Sequence, residues 1–175
     1  GLVVSGSTWV QAQAKSADAL AKETEAACTA SASTKPTPKM LISKVSAACE
    51  LLEKEGKAAF PKFQGKDSEF VFAGTYLWIH SFEGSMLMHP IKHKLNGKAL
   101  LGFQDSTGKK FFVEMIDVCK KDGDGWVSYM WPKPGSKKPV AKVSYVKKAM
   151  CDGKPVVVGC GVYDITMEEI KAATK

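Results

Sequence analysis

Residues 123 to 163 combine a few polar side chains with runs of residues that favour strands. Short Tyr, Trp and Val runs bounded by Pro and Gly are typical of antiparallel strands joined by hairpins. Alternate residues of a strand share a face, so Tyr129 and Trp131 point the same way, with Val127 beneath them. Lys142 lies in a neighbouring apolar run, where a lone ammonium is costly to bury unless an anion meets it. The pattern predicts an apolar cup with a phenol, an indole and one cation, which suits a small carboxylate.

Covalent catalysis is not indicated by the remaining reactive residue types. Cys160 lies within a valine-rich run, and the glycines around it lack the nucleophile-elbow pattern. Glu114, Asp117 and Asp122 fall on or just after a predicted helix, where carboxylates usually face water. We therefore predict that the chain is not an enzyme.

A metal site is also not predicted. His89 and His93 are four residues apart, and His80 could join them from a neighbouring strand. Pro90 makes a regular helix between the first two improbable, and no carboxylate or cysteine is spaced to complete a ligand set. The sequence likewise gives no sign of a cofactor.

The elements that must hold the cup follow from the hydrophobic period. Helices are predicted at residues 15 to 30 and 39 to 55, with the breaker SASTKPTP between them. A third helix carries a core-facing apolar stripe, and a short fourth one, residues 166 to 173, opens with a capping box at Thr166 and Glu169. Strands are predicted at residues 70 to 80, 86 to 89, 125 to 131, 140 to 149 and 155 to 163. The stripe consists of Phe111, Phe112, Met115, Ile116 and Cys119. The fold class is therefore α/β (α+β), with an antiparallel sheet of about five strands and two helices ahead of it.

Composition narrows the choice of partners. The 175-residue chain has a formal net charge of +7, but all 25 basic residues are lysine. Arginine is the usual reader of guanine edges and the better bidentate phosphate ligand, so its absence counts against nucleic acid as a partner. The five cysteines show no zinc-like spacing, and their pairing is left open. They are Cys28, Cys49, Cys119, Cys151 and Cys160.

Four motifs, in this order and spacing, resemble the single-Cache sensory domain of bacterial chemoreceptors and sensor kinases, specifically its second type. They are YxxxHSFEGxMLMHPI, LNGKALLGFQDSTGKKF, GWVSYMWPKPGSKKPVAKVSYVK and VVVGCGVY. The resemblance runs from about residue 76 to residue 164. It implies a PAS-like, extracytoplasmic domain, periplasmic or extracellular, that binds a small organic acid such as acetate, propionate, pyruvate or lactate.

The resemblance also implies which residues bind this ligand. The HP motif gives His89, and the YMW motif gives Tyr129 and Trp131. The KVSY motif gives Lys142 and also Tyr145, although their odd separation puts the two on opposite faces of a regular strand. Tyr76 is a further candidate whose alternative role is that of a core aromatic. His80 and Glu83 stand where the family more often has an aromatic residue and an aspartate, which leaves the identity of the ligand open.

The predicted organisation has four parts. Residues 1 to 14 form an N-terminal arm or the remnant of an export signal, and residues 15 to 58 a helical segment. Residues 59 to 165 form the Cache domain, and residues 166 to 175 a C-terminal helix. The resemblance implies a homodimer or higher homo-oligomer, with the membrane reached only through an anchor outside this sequence.

A competing hypothesis is that the chain is a structural or assembly subunit of a cell-surface oligomer or filament that has kept a Cache fold. Its apolar N-terminal arm, LVVSGSTWV, would then pair with the exposed sheet edge of a neighbouring subunit.

Overall fold

A computed structural model describes residues 14–175. Five strands form one antiparallel sheet in the order β2-β1-β5-β4-β3. The strands are β1 Leu77–Ser81, β2 Met86–Met88, β3 Asp124–Pro132, β4 Pro139–Cys151 and β5 Lys154–Tyr163. The predicted fold class and the strand count of five are therefore confirmed.

Four α-helices surround the sheet: α1 Ala17–Ser31, α2 Pro38–Glu55, α3 Phe111–Asp122 and α4 Met167–Ala173. Short 3-10 helices occupy Gly56–Phe63 and His93–Leu95. The hydroxyls of Ser16 and Thr37 cap α1 and α2, and Thr166 and Glu169 form the predicted capping box of α4. Among residues 14–175, no helix is both long and apolar enough to cross a bilayer.

The two faces of the sheet have separate cores. Helix α2, the first 3-10 helix and α4 pack on one face, where Leu41, Val158 and Ile170 are fully buried. Helix α3 covers the other face together with Cys28 of α1. The predicted stripe of α3 is buried throughout, so it faces the core as expected. The Lys142 side chain belongs to the α3 face.

The first strand begins later than predicted. Residues 70 to 80 were expected to be extended, but β1 starts at Leu77. Ala73 and Gly74 both have positive φ, and Phe72 pairs with Thr75 in a tight turn just before the strand. This turn fixes where Tyr76 enters the sheet.

Some backbone groups at both edges of the sheet are hydrogen-bonded to other parts of the chain. At the β3 edge, Asp105 accepts the Met130 N–H at 2.9 Å, and Lys109 Nζ donates to the Ser128 carbonyl at 2.5 Å. At the β2 edge, Met86 exchanges backbone hydrogen bonds with Gly97 and Lys98. Strand exchange through an N-terminal arm, which needs a free edge, stays a prediction. The proposed arm itself, except for Ala14, lies outside the described residues.

Candidate functional site

Lys142 lies at the centre of a cluster of aromatic rings on the α3 face. The sheet register places it opposite Tyr129 of β3 and Tyr163 of β5. Its side chain is only 1% exposed. The Lys142 Nζ is 4.7 Å from the ring centroid of Tyr76 and 5.1 Å from that of Trp78. The Lys142 Nζ is also 4.9 Å from the ring centroid of Tyr163 and 5.8 Å from that of Tyr129. Four aromatic faces within about 6 Å form a cage for the ammonium.

This buried cation has no carboxylate partner among residues 14–175. Every ion pair of the described chain involves other residues, and the hydrogen-bonding contact of the Lys142 Nζ is the Tyr76 hydroxyl at 3.4 Å. Burial lowers the pKa of Lys142 to about 7. A buried charge that is left unpaired usually has a function, because it costs stability.

Tyr76 connects Lys142 to the rest of the polar wall. Its hydroxyl oxygen accepts the Trp131 Nε1–H at 3.1 Å and the contact from Lys142. The His89 ring lies 5.0 Å from the Tyr76 ring and 6.2 Å from the Trp131 ring. Tyr129 is held separately, since its hydroxyl is 2.9 Å from the Ser144 Oγ.

His89 is fixed as a neutral donor by its local backbone. Its Nδ1 accepts the N–H groups of Ile91 and Lys92 at 3.2 and 2.8 Å, and this pattern assigns the proton to Nε2. Burial, followed by the positive charges of Lys142 and Lys92, holds the pKa of His89 well below its usual value. An uncharged imidazole with a free N–H suits the recognition of an anion beside a lysine.

Two glycines of β5 leave room for the cage. A Cβ added at Gly161 would lie 2.6 Å from the Lys142 Cε, and one added at Gly159 would overlap the Trp78 ring. The cavity beside the Lys142 side chain has a volume of about 10 Å³, which is the space of one water molecule. It is lined by Tyr76, Trp78, His89, Phe111, Phe112, Tyr129, Trp131 and Lys142.

Five of the six residues proposed from the sequence meet at this cavity: Tyr76, His89, Tyr129, Trp131 and Lys142. Tyr145 does not join them. It packs in the core of the opposite sheet face, and its hydroxyl donates to the Asp124 carboxylate at 2.5 Å. The odd separation from Lys142 accounts for this placement, because successive side chains of a strand alternate between the faces.

Three lining residues were missed as site residues. Trp78 could have been found by alternation, since it lies two residues after Tyr76 on the same strand face. Phe111 and Phe112 were assigned to the core, and both are buried there, but as the first residues of α3 they also close the cavity. The Phe111 ring is stacked on that of Tyr129 at 4.4 Å.

The histidines do not converge on a metal. His80 is buried against Phe112, and its Nδ1 accepts the Trp78 Nε1–H at 3.0 Å. The His93 Nε2 pairs with Asp18 at 2.6 Å, away from His89. Residues 14–175 hold no group of three or more His, Cys, Asp or Glu side chains placed to bind a metal ion. All five cysteines are described; they are buried and free.

Comparison with known proteins identifies the family to which this aromatic cage and five-stranded sheet belong. The Cache domain family model matches residues 47–174, and the chain belongs to this family. The resemblance seen in the sequence motifs is confirmed. Cache domains of chemoreceptors and sensor kinases lie outside the cytoplasm and serve signal transduction and chemotaxis, which agrees with the predicted localisation.

Two curated relatives and two solved structures place the chain more closely. It is 39% identical over 88 residues to the methyl-accepting chemotaxis protein McpP of Pseudomonas putida. It is 32% identical over 88 residues to the sensor histidine kinase MctS of Rhizobium johnstonii. These alignments cover 50% of this chain but only 16% and 18% of the relatives. The chain thus corresponds to a small part of each.

The solved structures cover most of the fold. A periplasmic sensor domain of a chemotaxis protein has a TM-score of 0.61 and 31% identity, over 73% of this chain and 95% of that one. A Cache chemosensory domain described for carboxylic acid recognition has a TM-score of 0.57 and 26% identity, over 83% and 93% of the two chains. The matched chemoreceptors are sensors, which is a non-enzymatic kind of function.

Proposed function

We propose that this Cache sensor domain binds a short monocarboxylate, of the acetate, propionate, pyruvate or lactate class, against Lys142. The observation that carries the proposal is the buried Lys142 ammonium, caged by four rings and without an anionic partner among residues 14–175. A carboxylate supplies the missing negative charge. The solved relative described for carboxylic acid recognition supports the same ligand class.

The donors around the cavity match the needs of a carboxylate. Lys142 offers charge, while the Tyr76 hydroxyl and the His89 Nε2–H offer directed hydrogen bonds. The lining also includes the apolar rings of Trp78, Phe111 and Phe112. A short monocarboxylate fits this division, because its carboxylate can contact the polar donors while its alkyl end packs against the aromatic rings.

A cavity of about 10 Å³ is smaller than any of these acids. In this proposal the residues around the cavity therefore move apart when the ligand enters. A second small cavity of about 20 Å³ adjoins it and shares Tyr76, His89 and Trp131. That cavity extends to Lys92 and to residues 132 to 136, which are part of the β3–β4 hairpin. We assign the access route to the gap between this hairpin and the segment after His89.

Calorimetric titration tests the proposal, with acetate, propionate, pyruvate and lactate as ligands and propionamide as a neutral comparator. The variant Lys142→Met keeps an unbranched side chain of nearly the same length but removes the charge, and we expect it to abolish binding. The matched control is Lys137→Met, in the exposed β3–β4 hairpin. Equal affinity of the wild type and Lys142→Met for every acid would refute the assignment, as would tight binding of propionamide.

The signalling output is proposed from the relatives. We infer that the domain is the sensory part of a membrane receptor, in which ligand occupancy is passed to a chemotaxis or kinase module. Association into homodimers or higher homo-oligomers is part of this proposal. Sedimentation of the isolated domain, with and without the carboxylate that binds, tests it directly.

A further inference from the structure

A second cavity lies beside the sheet, apart from the Lys142 cage. A cavity of about 260 Å³ opens between the end of α1, the turn before β1, the β3–β4 hairpin and the end of β5. Its floor is buried and includes Cys28, Gly161 and Tyr163. Its mouth is exposed and carries Lys35, Lys133 and Asp164. A deep floor under a charged rim is the shape of a ligand site rather than of a surface groove.

The rim places two lysines beside Asp164. Lys133 forms an ion pair with the Asp164 carboxylate, and Lys35 Nζ donates to the Asp164 backbone carbonyl at 2.9 Å. The formal charge of this trio is positive, because it contains two ammonium groups and one carboxylate. All three side chains are exposed, so they can turn toward an incoming anion at little cost.

The backbone around this cavity adopts the left-handed region at two non-glycine residues. Ala73 has φ 46° and Asp164 has φ 54°, and the described chain has only one other non-glycine residue with positive φ. Left-handed backbone at alanine is uncommon and costs free energy. Such strain is found preferentially where a wall must be shaped for function.

The cavity is separate from the cage, although the two share a wall. Tyr163 lines the large cavity and also lies 4.9 Å from the Lys142 Nζ. None of the residues that line the cage cavity lines this larger one. A ligand here therefore does not need Lys142.

The volume and lining set the class of ligand. A volume of about 260 Å³ far exceeds the roughly 10–15 Å³ that one water molecule needs, so the cavity has room for a compact organic anion. Cys28, Pro36, Val162 and the Tyr163 ring make the interior mainly apolar, and the rim is cationic. We propose that this cavity is a second binding site, which takes a compact aromatic or branched monocarboxylate with its anionic group between Lys35 and Lys133.

The probe for this site is benzoate, with benzamide as the neutral comparator. Titration of the ¹⁵N-labelled domain should give saturable amide shifts at Gly74, Lys133 and Asp164 with benzoate and not with benzamide. The double variant Lys35→Met/Lys133→Met should weaken benzoate binding about tenfold, which corresponds to two exposed charge contacts. The matched control is Lys137→Met/Lys138→Met, which removes the same charge from the same hairpin region.

The variant Lys142→Met separates this inference from the function proposed above. Benzoate binding that survives Lys142→Met but is weakened by the Lys35/Lys133 variant supports a second site, whether or not short acids bind the cage. Benzoate binding that Lys142→Met abolishes would place the ligand in the cage and overturn the inference. Amide shifts that rise linearly with benzoate and do not saturate would show only general attraction to a basic surface and would overturn the inference. Equal weakening of benzoate binding by both double variants would overturn it for the same reason.

Discussion

Gly161 of β5 and Lys142 of β4 are diagonal neighbours on the same sheet face, so close that a Cβ on Gly161 would be 2.6 Å from the Lys142 Cε. The same Cβ would overlap the Ser144 Oγ, which is held by Tyr129. The path of the lysine side chain into its aromatic cage therefore depends on the absence of a side chain on the neighbouring strand.

We expect Gly161→Ala to lower the free energy of unfolding by about 1–3 kcal/mol, as overpacking of a tight core does. The affinity for the short carboxylate should fall with it, because Lys142 or Ser144 must move. Chemical denaturation and calorimetry measure the two effects. Gly102→Ala is the control, since a Cβ at that position meets no atom within 4 Å and Gly102 has no positive φ. Similar values for the two variants would contradict the close packing.

The free domain should become more stable as the pH rises above 7, by an amount that is traceable to Lys142. Its pKa is about 7 in the folded chain, against 10.5 for an unperturbed lysine. Between these values the unfolded chain binds a proton that the folded chain lacks, so the free energy of unfolding rises with pH. Below pH 7 both states are protonated and this contribution is flat.

Denaturation of the wild type and Lys142→Met between about pH 6 and pH 9 isolates that contribution. Methionine carries no charge, so the variant should be the more stable protein at the acid end. Its advantage should shrink by up to about 1.4 kcal/mol per pH unit above pH 7. A difference between the two proteins that stays constant with pH would show that Lys142 remains fully charged.

Carboxylate binding should take up a proton above pH 7 and none well below it. An anion beside Lys142 raises the pKa of the ammonium in the complex. At about pH 6 Lys142 of the free domain is already protonated. At about pH 8 most of the free domain has a neutral Lys142, which must gain a proton when the carboxylate binds. Affinity therefore falls as the pH rises. Titrations in buffers of different ionisation enthalpy measure the uptake directly, and equal apparent enthalpies at pH 8 would rule it out.

Tyrosine hydroxyls on the two sheet faces should have different effects on binding. Tyr76→Phe removes the hydroxyl that contacts Lys142 and accepts from Trp131, so we expect affinity to fall about tenfold or more. Tyr145→Phe removes a hydroxyl bonded to Asp124 on the other face and should leave affinity unchanged. The pair of variants, measured by calorimetry, tests which of the proposed residues reach the ligand. Loss of affinity in Tyr145→Phe alone would reverse the assignment.

Much of this arrangement follows from local sequence patterns. The three C-terminal strands are β-branched and aromatic runs closed by Pro-Gly and Asp-Gly turns, and their bounds are close to those predicted. Alternation was enough to place Tyr129 and Trp131 on one face and to separate Tyr145 from Lys142. The alternating partner of Tyr76, Trp78, was available by the same reasoning.

Other features depend on how distant elements meet. The apolar stripe of α3 identified a core-facing helix, but nothing local shows that Phe111 would stack on Tyr129 and close a cavity. The start of β1 was misplaced because Ala73 adopts positive φ, which a sequence pattern does not predict for alanine. The 260 Å³ cavity is bounded by four separate segments and has no sequence signature.

The five cysteines give the fold a chemical vulnerability. Burial raises the pKa of Cys28, Cys49, Cys119 and Cys160 to about 12, and that of Cys151 is raised as well. Thiolates are the species that form disulfides, so the native thiols are nearly inert. Compartments outside the cytoplasm favour oxidation, and an unfolded chain exposes all five thiols at once. Folding of the newly exported chain therefore competes with oxidation of its thiols. The same competition recurs whenever the domain unfolds. A ligand that stabilises the folded domain therefore also protects its cysteines from oxidation, because it keeps them buried.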